Sequence, residues 1–155
     1  MSTIIEQTGA SGRNFRFVYR KRKPIIALRE VSNLLYTSGH GPEDQVNGRP
    51  LYQGRIGSDL TIQEGYLAAR ECGIILLNAM RAHLGTLDRV RKLVKATALI
   101  NCAEGFTDLD RVMDGFSDLM TDVLEERGYH VRTVMGTRSL PNGNIPIEIE
   151  LIAEI

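Results

Sequence analysis

The sequence predicts an α+β fold in which one β-sheet carries two amphipathic helices on a single face. Three observations lead there: two long segments repeat their apolar residues at three-and-four spacing, several short segments alternate at period two, and the order reads β-β-β-α-β-α-β-β. A length of 155 residues fits one domain, residues 1–155, and 43% hydrophobic content can supply one core.

The elements follow in chain order. Residues 1–14 carry Gly, Ser and Thr without a clear pattern and are expected to be loose. Strands are expected at 15–19 and 24–31, joined by a solvated turn of Arg20, Lys21, Arg22 and Lys23. A third strand at 33–38 runs into Gly39-His40-Gly41-Pro42, a turn signal, and residues 43–57 read as a loop or irregular hairpin. Thr61-Ile62-Gln63-Glu64 has the pattern of a capping box, in which each side chain satisfies a free backbone N–H. Ala68, Ala69, Cys72, Ile75, Leu76, Ala79, Met80 and Leu84 then line one helical face, and Gly85 supplies the stop.

Residues 93–101 alternate Val94, Ala96, Ala98 and Ile100 against Lys95 and Thr97, as in a half-buried strand. The second helix has Thr107 or Asp108 as cap and a stripe of Leu109, Val112, Met113, Phe116, Leu119, Met120, Val123 and Leu124, with Gly128 at its end. Gly115 is a local conflict, since a glycine inside a helix costs about 1 kcal/mol relative to Ala. A close helix–sheet contact or a ligand at that point would account for it, and so would simple tolerance of the cost. The last strands are Val131–Thr137 and 145–155, connected by Leu140-Pro141-Asn142-Gly143-Asn144.

Composition narrows the function classes. A formal net charge of zero argues against a nucleic-acid footprint, which needs surplus Lys and Arg on one face. No apolar run approaches the ~20 residues that span a bilayer, and the N-terminus lacks the order of a signal peptide, so a cytoplasmic protein without membrane partners is expected. The two cysteines, Cys72 and Cys102, have neither disulfide nor metal spacing and read as free thiols. The three histidines, His40, His83 and His130, suggest no metal set, and no cofactor is expected. His83 reads as a favourable charge at a helix C-terminus, and His40 as a turn residue with a possible role in proton transfer.

Two charges stand on predicted strands beside turns. Arg132 offers a planar fork matching a carboxylate, and Glu148 lies in the final strand between Ile147 and Ile149. Spacing leaves two readings open. Both side chains face solvent on alternating strands, or the two strands pair and the charges share a pocket.

Several segments together resemble the Rid/YjgF family of reactive-intermediate deaminases, also known under the older endoribonuclease label L-PSP. The carrying residues are Asn33-Leu34-Leu35-Tyr36-Thr37-Ser38-Gly39, Phe106, Arg132, Leu140-Pro141 and Ile147-Glu148-Ile149-Glu150-Leu151-Ile152-Ala153. The resemblance covers about residues 15–155. Gly57-Ser58-Asp59-Leu60-Thr61, Glu64-Gly65-Tyr66 and Asp114-Gly115-Phe116-Ser117-Asp118-Leu119 look like one branch of that family, distinct from its best-studied enzymes.

The resemblance implies a chorismate-mutase-like fold assembled as a homotrimer with three clefts between subunits. It implies hydrolysis of small enamine or imine carboxylates such as 2-aminoacrylate to 2-keto acids and ammonia. Arg132 would hold the substrate carboxylate, Glu148 would orient a water, and Ser38 and Gly39 would lie near the substrate nitrogen. Val134 would line the same site, at the position where the best-known members carry Cys. Asp110 replaces a family asparagine, and an early tyrosine of the family has no match near Ile25. A second function compatible with these changes is a non-catalytic trimer that binds small keto acids. A third, RNA cleavage or binding, follows the older family label; zero net charge, the lack of an aromatic stacking platform and a single basic cluster at residues 20–23 argue against it.

Overall fold

The computed structural model describes residues 3–8, 14–19 and 25–155. Its elements are β1 (Thr3–Thr8), β2 (Asn14–Tyr19), β3 (Leu28–Val31), β4 (Leu34–Thr37), α1 (Ile62–Leu84), β5 (Lys92–Asn101), α2 (Leu109–Leu124), β6 (Val131–Thr137) and β7 (Ile147–Glu154). Short helical turns stand at Leu87–Arg89, Glu125–Gly128 and Pro141–Asn144.

The expected α+β architecture is present. Five strands form one sheet in the order β3-β4-β7-β5-β6. Neighbours are antiparallel except β5 and β6, which are parallel and joined by α2, the crossover that a parallel pair requires. Two expectations change near the N-terminus. Residues 3–8, expected to be loose, form β1, and β2 pairs with it in a separate two-stranded sheet instead of joining the main one. The basic run at residues 20–23 lies outside the described residues.

Period-two alternation decides which face of the sheet is buried. Ala96, Ala98 and Ile100 of β5 sit opposite Leu151, Ile149 and Ile147 of β7, and all six are buried under the helices. On the other face, Lys95, Thr97 and Leu99 sit opposite Ile152, Glu150 and Glu148. Among the described residues no element covers that face, and Tyr36, Val131 and Met135 on it are exposed.

The helices begin and pack as their sequences require. Thr61 and Glu64 form the predicted capping box, with Thr61 Oγ1 accepting from the Glu64 N–H at 3.1 Å and Glu64 Oε2 accepting from the Thr61 N–H at 2.8 Å. Gly85 caps the C-terminus of α1 at φ 83°, a conformation open to glycine at little cost. Asp108 is the N-cap of α2. That helix ends at Leu124, ahead of the expected Gly128, because the chain breaks at Glu125 (φ 55°) into a short turn that carries it toward β6. Among the described residues, no helix is long and apolar enough to cross a membrane.

Gly115 is explained by a helix–helix contact. A Cβ there would collide with the backbone carbonyl of Tyr66 on α1, so the two helices approach each other at this point as closely as backbones allow. The contact extends along a seam. Gly73 on α1 faces Leu119, Met120 and Phe116, and Gly65 faces Val112 and Ile56. Helix propensity alone predicts that Gly115→Ala stabilises by about 1 kcal/mol. The seam predicts the opposite sign, a loss of about 1–3 kcal/mol from overpacking, read from the denaturation midpoint at unchanged slope. A stabilised Ala variant would show that the helices are free to separate.

Candidate functional site

Ser38 and Gly39 lie where the ladder between β4 and β7 slips. Tyr36 pairs with Ile152, but the next backbone pair is His40 with Ile149, so β4 carries one residue more than its partner across this stretch. The irregularity is a bulge, a device that re-aims residues out of a ladder. Thr37 fills the gap, its Oγ1 accepting from the Leu151 N–H at 2.9 Å. His40 and Ile149 exchange both backbone hydrogen bonds, at 2.9 and 3.0 Å, and resume the pairing. Ser38 is tied inward, its hydroxyl donating to the Ile26 carbonyl at 2.7 Å.

The slip places Gly39 directly against Glu148. A Cβ at Gly39 would collide with the Glu148 carboxylate, so this glycine is needed for space. Among the described residues Glu148 has no ion-pair partner or side-chain hydrogen bond, and its carboxylate borders a groove on the open face. Gly39, Thr97, Leu99, Met135, Glu148 and Glu150 line that groove, a space of about 200 Å³.

Arg132 is elsewhere. Strand β5 separates β6 from β7, so Arg132 and Glu148 are not on neighbouring strands. Arg132 pairs with the buried Ala96, whereas Glu148 pairs with Leu99. The two charges therefore leave opposite faces of the sheet, so within one chain they do not share a pocket, and Arg132 is bound to α2 instead of standing free in solvent. Val134 pairs with Ala98 and shares the helix-side face with Arg132, packed against the core. The structure thus unites Ser38, Gly39 and Glu148 at one place, and Arg132 and Val134 at another.

On its own face Arg132 meets α2. Its Nη1 donates to Asp114 Oδ1 at 2.9 Å and to Ser117 Oγ at 3.1 Å, and its Nη2 donates to Asp110 Oδ1 at 3.2 Å. The two aspartates are one helical turn apart and would repel each other; the guanidinium between them offsets that. His130 completes the cluster. Its Nδ1 lies 2.7 Å from the Gly128 carbonyl, which can only accept, so Nδ1 carries the proton. Nε2 is then a bare acceptor 3.2 Å from Ser117 Oγ, and the hydrogen bonds run in one direction from Arg132 through Ser117 to His130. Phe116 supports the imidazole edge-on, with ring centroids 5.5 Å apart.

This arrangement gives the segment Asp114 to Asp118 a residue-by-residue account. Asp114 and Ser117 hold Arg132, Gly115 admits the Tyr66 carbonyl, and Phe116 enters the core. Asp118 accepts from the Tyr66 hydroxyl at 2.9 Å, a bond that raises the phenol's pKa. Glu64-Gly65-Tyr66 and Asp114–Asp118, far apart in sequence, are two sides of one helix seam.

Three residues of the site region were missed by sequence reasoning. The sequence marks Ser117 only as part of the 114–119 family segment, and His130 only as one of three histidines without metal spacing. Asn101 is fully buried, and its Nδ2 donates to Asn144 Oδ1 at 2.9 Å, with the Gly54 and Ile145 carbonyls at 3.3 Å each. It joins the loop before α1 to the Leu140–Pro141 turn that delivers β7, and so holds the strand of Glu148 in place. The one hint was a polar residue ending an apolar strand. Of the other histidines, His83 contacts Glu30 Oε2 at 3.1 Å, and His40 Nδ1 lies 2.8 Å from the Ser38 carbonyl. Among the described residues no cluster of His, Cys, Asp or Glu is placed to hold a metal ion.

Burial holds the His130 imidazole below its ordinary range; the Gly128 carbonyl pulls the other way, and the Arg132 guanidinium lowers it further. The unfolded chain therefore takes up this proton first, near pH 6.5. The stability that neutral His130 contributes is complete above about pH 6.5 and is lost as pH falls through that value toward the folded pKa. Chemical denaturation at about pH 7.5 and about pH 5.5 should show a larger acid loss in the wild type than in His130→Gln. Equal losses would remove His130 as the cause.

A family model described as "YjgF/chorismate mutase-like, putative endoribonuclease" matches residues 26–155. Protein TCP17 of Trypanosoma cruzi is 38% identical over 122 residues, covering 78% of this chain and 74% of that protein. A solved protein of unknown function from Agrobacterium tumefaciens superposes with a TM-score of 0.81 at 31% identity, covering 86% of this chain and 83% of its own. TdcF of E. coli, solved with bound serine, shares the fold, with a TM-score of 0.60 at 19% identity over 86% of this chain and 90% of its own. With the motif residues now located on the bulge, on β6 and on β7, this chain belongs to the YjgF/Rid family.

Proposed function

We propose that the chain hydrolyses small enamine or imine carboxylates, of the 2-aminoacrylate type, to 2-keto acids and ammonia in clefts between copies of itself. One observation carries this reading: Arg132 and the Gly39–Glu148 pair leave opposite faces of one sheet. No small substrate can touch both within one chain. Arg132 is on β6, an edge strand, where a neighbouring copy can bring its own open face alongside. The open face suits such a partner. Tyr36, Val131 and Met135 are exposed there at 41%, 66% and 45%, more apolar surface than a solvated sheet face needs. A closed ring of three copies gives every chain the same two contacts, one through each face.

The chemistry asks little of the protein. The enamine takes a proton at its β-carbon and becomes an iminium. Glu148, held against Gly39 with its carboxylate uncommitted, accepts a hydrogen bond from water and directs it at the iminium carbon. The adding water gives a proton to Glu148, which passes it to the carbinolamine nitrogen; the hydroxyl then loses its proton to solvent and closes to C=O as the C–N bond breaks, so that ammonia leaves and the 2-keto acid forms. Arg132 fixes the substrate carboxylate so that water and carbon meet in reactive geometry.

The second reading, a trimer that binds small carboxylates without turnover, is favoured by the two aspartates on Arg132, which occupy the fork a substrate would need. Ammonia and keto-acid release from 2-aminoacrylate generated in situ separates the two. On the catalytic reading Glu148→Gln lowers kcat by about 10²–10⁴-fold. Arg132→Gln lowers kcat/KM by about two orders of magnitude or more. Wild type that binds carboxylates without accelerating release supports the second reading.

Shared clefts make a further outcome testable. The two inactive variants, unfolded and refolded together at equal amounts, should recover activity, because Arg132 from one copy and Glu148 from another meet natively in about one cleft in four. Sedimentation should show three chains. No recovery in trimers that mix freely would place both residues at separate sites.

A further inference from the structure

We propose that Asp110 makes the Arg132 site selective for ligands that carry a cationic nitrogen beside their carboxylate, so that it accepts an iminium or amino-acid zwitterion and disfavours the 2-keto acid product. The inference rests on the reading of Arg132 as the carboxylate contact and adds the class of ligand that contact admits.

Charge on this face comes from both elements packed there. Strand β6 supplies Arg132, and the neutral His130 stands just before that strand; α2 supplies Asp110, Asp114 and Asp118. Asp118 is engaged by the Tyr66 hydroxyl. Arg132, Asp114, Ser117, Asp118, Tyr129 and His130 border one open cavity of about 400 Å³, and Asp110 stands outside that lining, on the outer nitrogen of the Arg132 fork. A ligand bearing only a carboxylate meets one guanidinium and two aspartates already bound to it, a surrounding that is net negative.

The two aspartates are not equivalent. Asp114 is closer to the fork, at 2.9 Å against 3.2 Å, and its side chain is 47% exposed. Asp110 is 81% exposed, near the N-terminal end of α2, on the outer nitrogen of the fork. Asp110 is the member that can exchange. When a zwitterion enters, its carboxylate takes Nη2 and its cationic nitrogen takes the released Asp110, so that two ion pairs replace one pair and a solvated ligand. A keto acid also displaces Asp110 but leaves that carboxylate unpaired beside a second anion, which costs affinity.

The same exchange fits the reaction. Hydrolysis passes through an iminium, whose positive charge Asp110 stabilises, and ends in a keto acid, which has no such charge. Substrate and product differ at the one atom Asp110 reads, so the site favours the first and releases the second.

Calorimetric titration with L-2-aminobutyrate and 2-oxobutyrate, matched in length, tests this without turnover. Wild type is expected to bind the amino acid more tightly than the keto acid. Asp110→Asn should tighten 2-oxobutyrate and weaken L-2-aminobutyrate, each by about tenfold or more. As Asp110 is exposed on the helix surface, its amide should leave the melting temperature near that of the wild type, which is measured alongside. A keto acid that binds wild type as tightly as the amino acid, or affinities that Asp110→Asn leaves unchanged, would overturn the selectivity while leaving Arg132 as the carboxylate contact. If Arg132→Gln retains both affinities, the carboxylate contact itself is wrong, and the selectivity falls with it.

Discussion

The side-chain parity of β5 is the constraint from which the site follows. This strand lies between β7 and β6, and its Ala96, Ala98 and Ile100 must point at the helices because they make the middle of the core. Once they do, pairing assigns every neighbour. Arg132 and Val134, opposite Ala96 and Ala98, are carried to the helix side, and Glu148, opposite Leu99, is carried to the open side. A slip of one residue on either ladder would reverse these assignments for the strand that slipped, turning Thr133 and Met135 of β6 or Glu148 and Glu150 of β7 toward the helices. The hydrophobic core therefore enforces the separation of the two charges.

Packing of the two helices sets the rest. Residues without side chains at Gly65, Gly73 and Gly115 let α1 and α2 approach closely, and this brings Asp110, Asp114 and Ser117 within reach of β6. An Arg on the helix side of an edge strand would otherwise be an unpaired charge at the margin of a core. Here two carboxylates and a hydroxyl satisfy it, and the half-buried His130 stays neutral at the end of the same chain of bonds. The ion pairs are partly exposed, so their value lies more in orienting the guanidinium than in adding stability.

The opposite face is built on a different economy. Among the described residues nothing covers it, and it mixes Glu148 and Glu150 with Tyr36, Leu99, Met135 and Ile152. The bulge at Ser38–Gly39 and the buried amide of Asn101 hold β4 and β7 there without placing any side chain over the Glu148 carboxylate. A carboxylate with no partner among the described residues, beside a glycine, is suited to a small polar molecule, and the apolar surround is suited to a neighbouring chain.

Local pattern determined a large part of this protein. Helix positions, the Thr61–Glu64 capping box, the Gly85 stop and the alternation of β5 and β7 were all legible, because each depends on residues within a few positions of one another. The motif residues Ser38, Gly39, Arg132 and Glu148 were legible as well, by resemblance. Strand order was not, since nothing in the spacing of 131–137 and 147–154 says that β5 enters between them. For the same reason the partners of Arg132, the purpose of Gly115 and the roles of Ser117, His130 and Asn101 emerged only from the folded chain. Each is a contact between segments distant in sequence, decided by which faces the core buries and how closely two helices can meet.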